Sequence, residues 1–173
     1  MPGMLRVGLA VILLLVAGCS GGGSEPSAEE ASETTGASEE PRDLRVERIS
    51  SGEPGQGPRR PRAVVAPSAA ALSEAIGANV PDAGGGTYLA VYWGRKPTGG
   101  YAISARSARL EGDTVTVRLS VKEPPRDAIL TQALTYPYAV AAIRDLEPGG
   151  KGFSFVDEEE GRKLDWPVRR AGG

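Results

Sequence analysis

The chain has no histidine, and its single cysteine, Cys19, stands directly behind an apolar leader. Everything after that cysteine must fold without an internal disulfide. A His-based general acid or base, a Cys–His nucleophile pair and a zinc site with Cys or His ligands are excluded with it. Small exported domains often rely on disulfides to supplement a limited core. Here apolar burial alone must hold the fold. The length of 173 residues leaves room for one domain once the N-terminal segments are set aside.

Arg6 and the amino terminus make a short positive segment, and residues 7–17 are apolar. At 1.5 Å rise these eleven residues cover about half of a ~30 Å hydrocarbon core, too short to span it but suited to a signal peptide. Val16-Ala17-Gly18-Cys19 follows at once. The small residues admit a peptidase, and the thiol is a nucleophile suited to acylation. This pattern resembles the lipobox of bacterial lipoproteins. The resemblance implies removal of residues 1–18, lipidation of Cys19, and a chain anchored to the cell membrane on its extracytoplasmic face.

Residues 20–41 carry six glutamates and no Lys or Arg, among Gly, Ser, Ala and Thr. No large apolar side chain is present to offset the entropy of ordering, so residues 19–41 are expected to form an acidic tether. Its root-mean-square reach is roughly 25 Å and its extended limit about 70 Å. Residues 42–173 keep 16 acids against 19 bases. The bases are scattered rather than gathered on one face, which argues against nucleic-acid binding.

From residue 42 the pattern is mainly β. Leu44, Val46 and Ile49 suggest a first strand ending at Gly52, and residues 63–65 a second. Ser68 is placed as an N-cap and Gly77 as the C′ residue of one short helix carrying Leu72, Ala75 and Ile76. Residues 88–93 are continuously apolar, as a strand buried on both faces would be. Residues 102–110 are a weaker strand candidate. After a turn at residues 111–113, Val115, Val117, Leu119 and Val121 alternate with polar residues. Residues 131–143 read as another strand, with Leu134, Tyr136, Tyr138 and Val140 on one face and Pro137 marking an edge or bulge. A closing hairpin would pair residues 153–156 with 163–168 across an acidic turn. The fold class expected is β-rich α+β: a small β-sandwich or open barrel of six or seven strands with one short helix.

The connection Lys96-Pro97-Thr98-Gly99-Gly100-Tyr101 is the candidate partner-binding segment. Pro97 fixes its own φ, the glycines admit left-handed backbone, and such a loop can present N–H groups, Thr98 and the Tyr101 ring. It is not a phosphate loop, because no Gly-Lys-[Ser/Thr] ends it and no helix follows. With the preceding strand and the run Thr131-Gln132-Ala133-Leu134-Thr135-Tyr136-Pro137-Tyr138, it resembles the C-terminal domain of the protease-complex subunit PrcB family, over roughly residues 86–146. That resemblance implies an envelope accessory protein whose partner is a protease. The loop is also similar to the Asn-Pro-Thr-Thr-Gly-Tyr loop of chagasin-type peptidase inhibitors. Lys96 replaces the asparagine and Gly99 the second threonine, and an Arg-Pro-Trp partner loop is lacking.

The function expected is therefore a non-catalytic accessory or binding module, with a peptidase inhibitor as the alternative. A small hydrolase using Asp157, Glu158, Glu159, Glu160 and Asp165 is a weaker one, since four successive acids before Gly161 look like a solvated turn. No cofactor or metal site is expected, the acidic turn lacking the ligand spacing of a calcium loop. Trp93, Phe153, Phe155 and Trp166 are expected in the core.

Overall fold

A computed structural model describes residues 40–147 and 149–172. The expected signal peptide, Cys19 and nearly all of the expected tether lie outside the described residues. In chain order the elements are β1 (Arg42–Leu44), β2 (Val46–Gly52), β3 (Arg62–Ala66), α1 (Ala69–Ile76), β4 (Thr87–Tyr92), β5 (Ala102–Glu111), β6 (Thr114–Lys122), β7 (Tyr138–Ile143), β8 (Gly152–Asp157), β9 (Lys163–Leu164) and β10 (Val168–Arg170). They form two five-stranded sheets, ordered β1-β5-β6-β8-β9 and β10-β3-β4-β7-β2. This is the expected β-rich class with one short helix, as a sandwich and not a closed barrel.

The sheets bury one core between them and the helix covers a second. Val115, Val117 and Leu119 of β6 meet Leu89 and Val91 of β4, with Phe155 of β8 completing the inner layer. Each such side chain, fully buried, contributes about 1.5–3 kcal/mol. The alternate residues of β4, Tyr88 and Ala90, face outward with Val64 and Val140, and Leu72 of α1 packs on them. Strand β4 is thus covered on both faces, which is why its sequence shows no alternation. The helix is delimited as its caps predict: the Ser68 hydroxyl accepts the Ala71 N–H at 3.1 Å, and Gly77 takes φ 67°. Trp93, Phe153 and Trp166 are only partly buried, packed against the inner core around Phe155.

Four expectations are corrected. The first strand is two: β1 pairs with β5 and β2 with β7, so the chain changes sheets at Arg45. A bulge at Ile49 then turns that side chain onto the helix layer, whereas Val46 faces the inner core. The strand expected over residues 131–143 is regular only from Tyr138, and β7 lies inside its sheet between β4 and β2. Pro137 therefore precedes an interior strand instead of marking an edge. Leu134, expected on one face with Tyr136, Tyr138 and Val140, is 51 % exposed whereas Val140 is buried. The closing hairpin includes only β8 and β9, because β10 leaves to pair in parallel with β3 of the other sheet. The described strands number ten, against the six or seven expected.

Tyr88 ties the helix layer to its connection. Its hydroxyl donates to Asp82 Oδ1 at 2.5 Å and accepts the Ala83 N–H at 2.7 Å. The Tyr88 hydrogen bond, with the Gly84 N–H, holds the Asp82 carboxyl below its ordinary range. Burial, and then the bond to Asp82, push the Tyr88 phenol above its own. A depressed carboxylate stabilises the fold above about pH 4 and loses that contribution as pH falls through the folded pKa. A raised phenol stabilises below about pH 10 and loses it as pH rises toward the folded value. Urea midpoints of the parent and Asp82→Asn should therefore lie furthest apart near neutrality and converge at both extremes. A gap that does not vary with pH would show that the pair is not coupled.

Candidate functional site

At the end of β4 the chain must leave a fully buried strand and cross to β5 in the other sheet. Trp93 N–H still bonds to Pro137 O at 2.9 Å, and Gly94 then turns at φ 80°. A Cβ at Gly94 would stand 3.0 Å from both Arg59 O and Pro61 N, so the close approach of the residue 53–61 loop requires glycine here. Arg95 N–H donates to Arg59 O at 3.1 Å.

Residues 96–101 are clasped by the segment after β6. Lys96 and Thr135 exchange backbone hydrogen bonds at 2.8 and 3.1 Å as an isolated antiparallel bridge. Gly99 N–H reaches Thr131 O at 3.2 Å, and the Thr135 hydroxyl donates to Thr98 O at 2.8 Å. Gly100 N–H is taken by Glu53 Oε2 at 2.9 Å. A loop presenting its N–H groups to a partner was expected. Those of Lys96, Gly99 and Gly100 are instead engaged within the fold, because a polar backbone brought against two other loops must find its partners there. Gly100 sits at φ 89°, and a Cβ would come within 2.9 Å of Pro124 and 3.1 Å of Leu130. The two glycine positions of the motif thus serve the clasp.

The side chains make a small aromatic box. Tyr101 meets Trp93 edge to face, with centroids 5.5 Å apart at 75°. Lys96 Nζ lies 3.7 Å from the centre of the Trp93 ring and 5.0 Å from that of Tyr101. Desolvation lowers the Lys96 pKa, and the negative charge of Glu123 partly opposes it. The ring faces compensate a half-buried ammonium whose carboxylate neighbour acts from a distance. Pro97 and Gly100 are exposed, while Lys96, Thr98, Gly99 and Tyr101 are half-buried. All six predicted residues fall on this one connection.

The sequence reading missed the clasp and its surface. Ile129 is 104 % exposed and Leu134 51 %, the two large apolar side chains left to solvent among the described residues. Both lie between β6 and β7, in the stretch that also supplies Thr131 and Thr135. Thr135 stands in the quoted motif, but nothing there announces that its hydroxyl holds the opposite loop. The rim shows no nucleophile–base pair. It offers apolar and cationic groups on two loops joined by hydrogen bonds.

The acidic turn lies elsewhere, at the end of β8. Asp157 is buried and accepts the Glu159 N–H at 3.0 Å, which closes the turn. Glu158 pairs with Arg106 at 3.7 Å, Glu160 with Arg162 at 3.0 Å and Asp165 with Lys163 at 3.6 Å. Among the described residues no cluster of acids could hold a metal ion.

Residues 87–144 match the family model described as PrcB C-terminal. The match covers β4 through β7 and so includes both halves of the clasp. It is the family that the two motifs resemble. No similar curated protein and no similar solved structure was found.

Proposed function

We propose that this protein, whose residues 87–144 match the PrcB C-terminal family model, is a membrane-anchored, extracytoplasmic accessory module. It is non-catalytic and binds a protease of the envelope or of the secreted fraction. The contact face is the double loop of residues 96–101 and 123–137. The observation that carries this reading is the exposure of Ile129 and Leu134 on the segment that clasps the motif. A partner that covers these two side chains would recover about 1.5–3 kcal/mol for each on complete burial. The hydrogen bonds that join the two loops would lower the ordering cost of association. The lipid anchor would keep the face within tether length of membrane-bound or newly exported partners.

The test is in-cell photocrosslinking of the full chain with benzoylphenylalanine at Gln132, which is exposed on the same segment. Adducts identified by mass spectrometry should include a protease. The double variant Ile129→Asp, Leu134→Asp should lower their yield about tenfold or more, the loss expected for interface anchors. An adduct unaffected by the double variant would remove this face as the interface. Reproducible adducts that never contain a protease would remove the partner class.

A further inference from the structure

The outer face of the second sheet is wider than the helix that covers it. At eight residues, α1 is about 12 Å long. Beyond its C-terminal end a cleft of about 600 Å³ opens between the 54–58 loop and strands β4 and β7. That volume falls in the range of small-molecule sites. The floor is apolar, formed by Ile76, Val80 and Val140. One wall is the pair of Tyr92 and Tyr138, whose rings lie 6.3 Å apart and are tilted by 30°.

The mouth carries a single charge. The Arg62 guanidinium carbon lies over the Tyr92 ring, 5.5 Å from its centre. No Asp or Glu lines the cleft, and Arg62 forms no ion pair among the described residues. An exposed guanidinium with no carboxylate partner can offer its N–H fork to an incoming carboxylate, whose geometry it matches. Burial raises the Tyr92 phenol, against the opposing charges of Arg62 and Arg169, with Tyr138 adding to the rise. The ring therefore stays neutral at physiological pH, beside the one cation that lines the cleft.

We propose that this cleft binds small aromatic carboxylates, the ring packing on Tyr92 and Tyr138 and the carboxylate paired with the edge of Arg62. This site is separate from the protein-contact face and does not depend on it. A flat apolar body fills a cavity walled by two phenols, and an anion is the one group that the mouth is short of.

The probes are 4-phenylbutyrate and its uncharged counterpart 4-phenylbutan-1-ol, titrated into the full chain and followed by 15N–1H correlation spectra. Saturable shifts are expected at Tyr92, Tyr138 and Asn79, with the acid bound about tenfold more tightly than the alcohol. Arg62→Gln, at an exposed strand end, should bring the acid down to the alcohol's affinity without changing the melting temperature. Absence of saturable shifts up to millimolar acid would overturn the proposal, as would shifts centred elsewhere. Equal affinity for acid and alcohol, or an Arg62→Gln variant that binds like the parent, would overturn the assignment equally.

Discussion

Gly86→Ala is expected to destabilise the domain by about 3 kcal/mol or more, which for a chain of ordinary stability is a large share of the total. Gly86 immediately precedes β4, the strand covered on both faces, and its φ is 98°. A Cβ there would sit 2.3 Å from Ile143 O and 3.1 Å from Arg144 Cα, both backbone atoms that cannot turn aside. Relief would have to come from shifting β4 against β7, where Thr87 is paired with Ile143. Gly85→Ala supplies the control. Its φ of 97° carries the same conformational penalty, but nothing lies within 4 Å of its added carbon. It should cost about 1–2 kcal/mol, so the difference between the two variants isolates the collision. Urea unfolding of both measures it. Equal losses would mean that the strand pair yields freely at this point.

Cys19→Ser is expected to abolish lipid attachment altogether. The proposal that residues 1–18 are a leader and Cys19 the acylated terminus rests on the Val16-Ala17-Gly18-Cys19 pattern behind a short apolar run. A serine hydroxyl keeps the size of the side chain but lacks the nucleophilicity of a thiol. Growth with an alkyne-tagged fatty acid should label the parent and leave the variant blank, an all-or-none difference. Mass analysis of the parent should show an N-terminus at residue 19 with two or three chains, enough for stable anchoring where one chain is marginal. Label retained on the variant, or Met1 retained on the mature parent, would overturn the lipoprotein assignment.

Where local pattern and tertiary environment agree, the sequence could be read directly. The Ser68 and Gly77 caps, the alternation of β6 and the unbroken apolar run of β4 each reflect one local requirement: an orphan N–H, a two-faced sheet, a strand with no solvent side. The glycine-rich connection was also legible, since two adjacent glycines after a proline serve little else than a constrained turn. The motif pair pointed to the family whose model matches residues 87–144. Residues 102–110 read weakly as a strand for a reason that became visible only in three dimensions. A bulge between Ala105 and Ser107 resets the period, so Ile103 and Ala105 face inward before it and Ala108 and Leu110 after it.

The β-rich class, folding without disulfides and the glycine-bearing connection of residues 96–101 could all be read from the chain alone. Periodicity and backbone chemistry are local properties, and a single strand or turn displays them without its neighbours. The tertiary structure alone decided which strands share a sheet, where β1 parts from β2, and that β7 is interior although Pro137 precedes it. It also decided that the loop's N–H groups belong to Thr131, Thr135 and Glu53 instead of to a partner. Such pairings join residues 32 to 47 positions apart, and no local pattern records a hydrogen bond at that range. The exposure of Leu134 follows from the same limit. Its spacing suits a buried face, but the clasp holds residues 131–137 off the sheet and leaves that side chain in water.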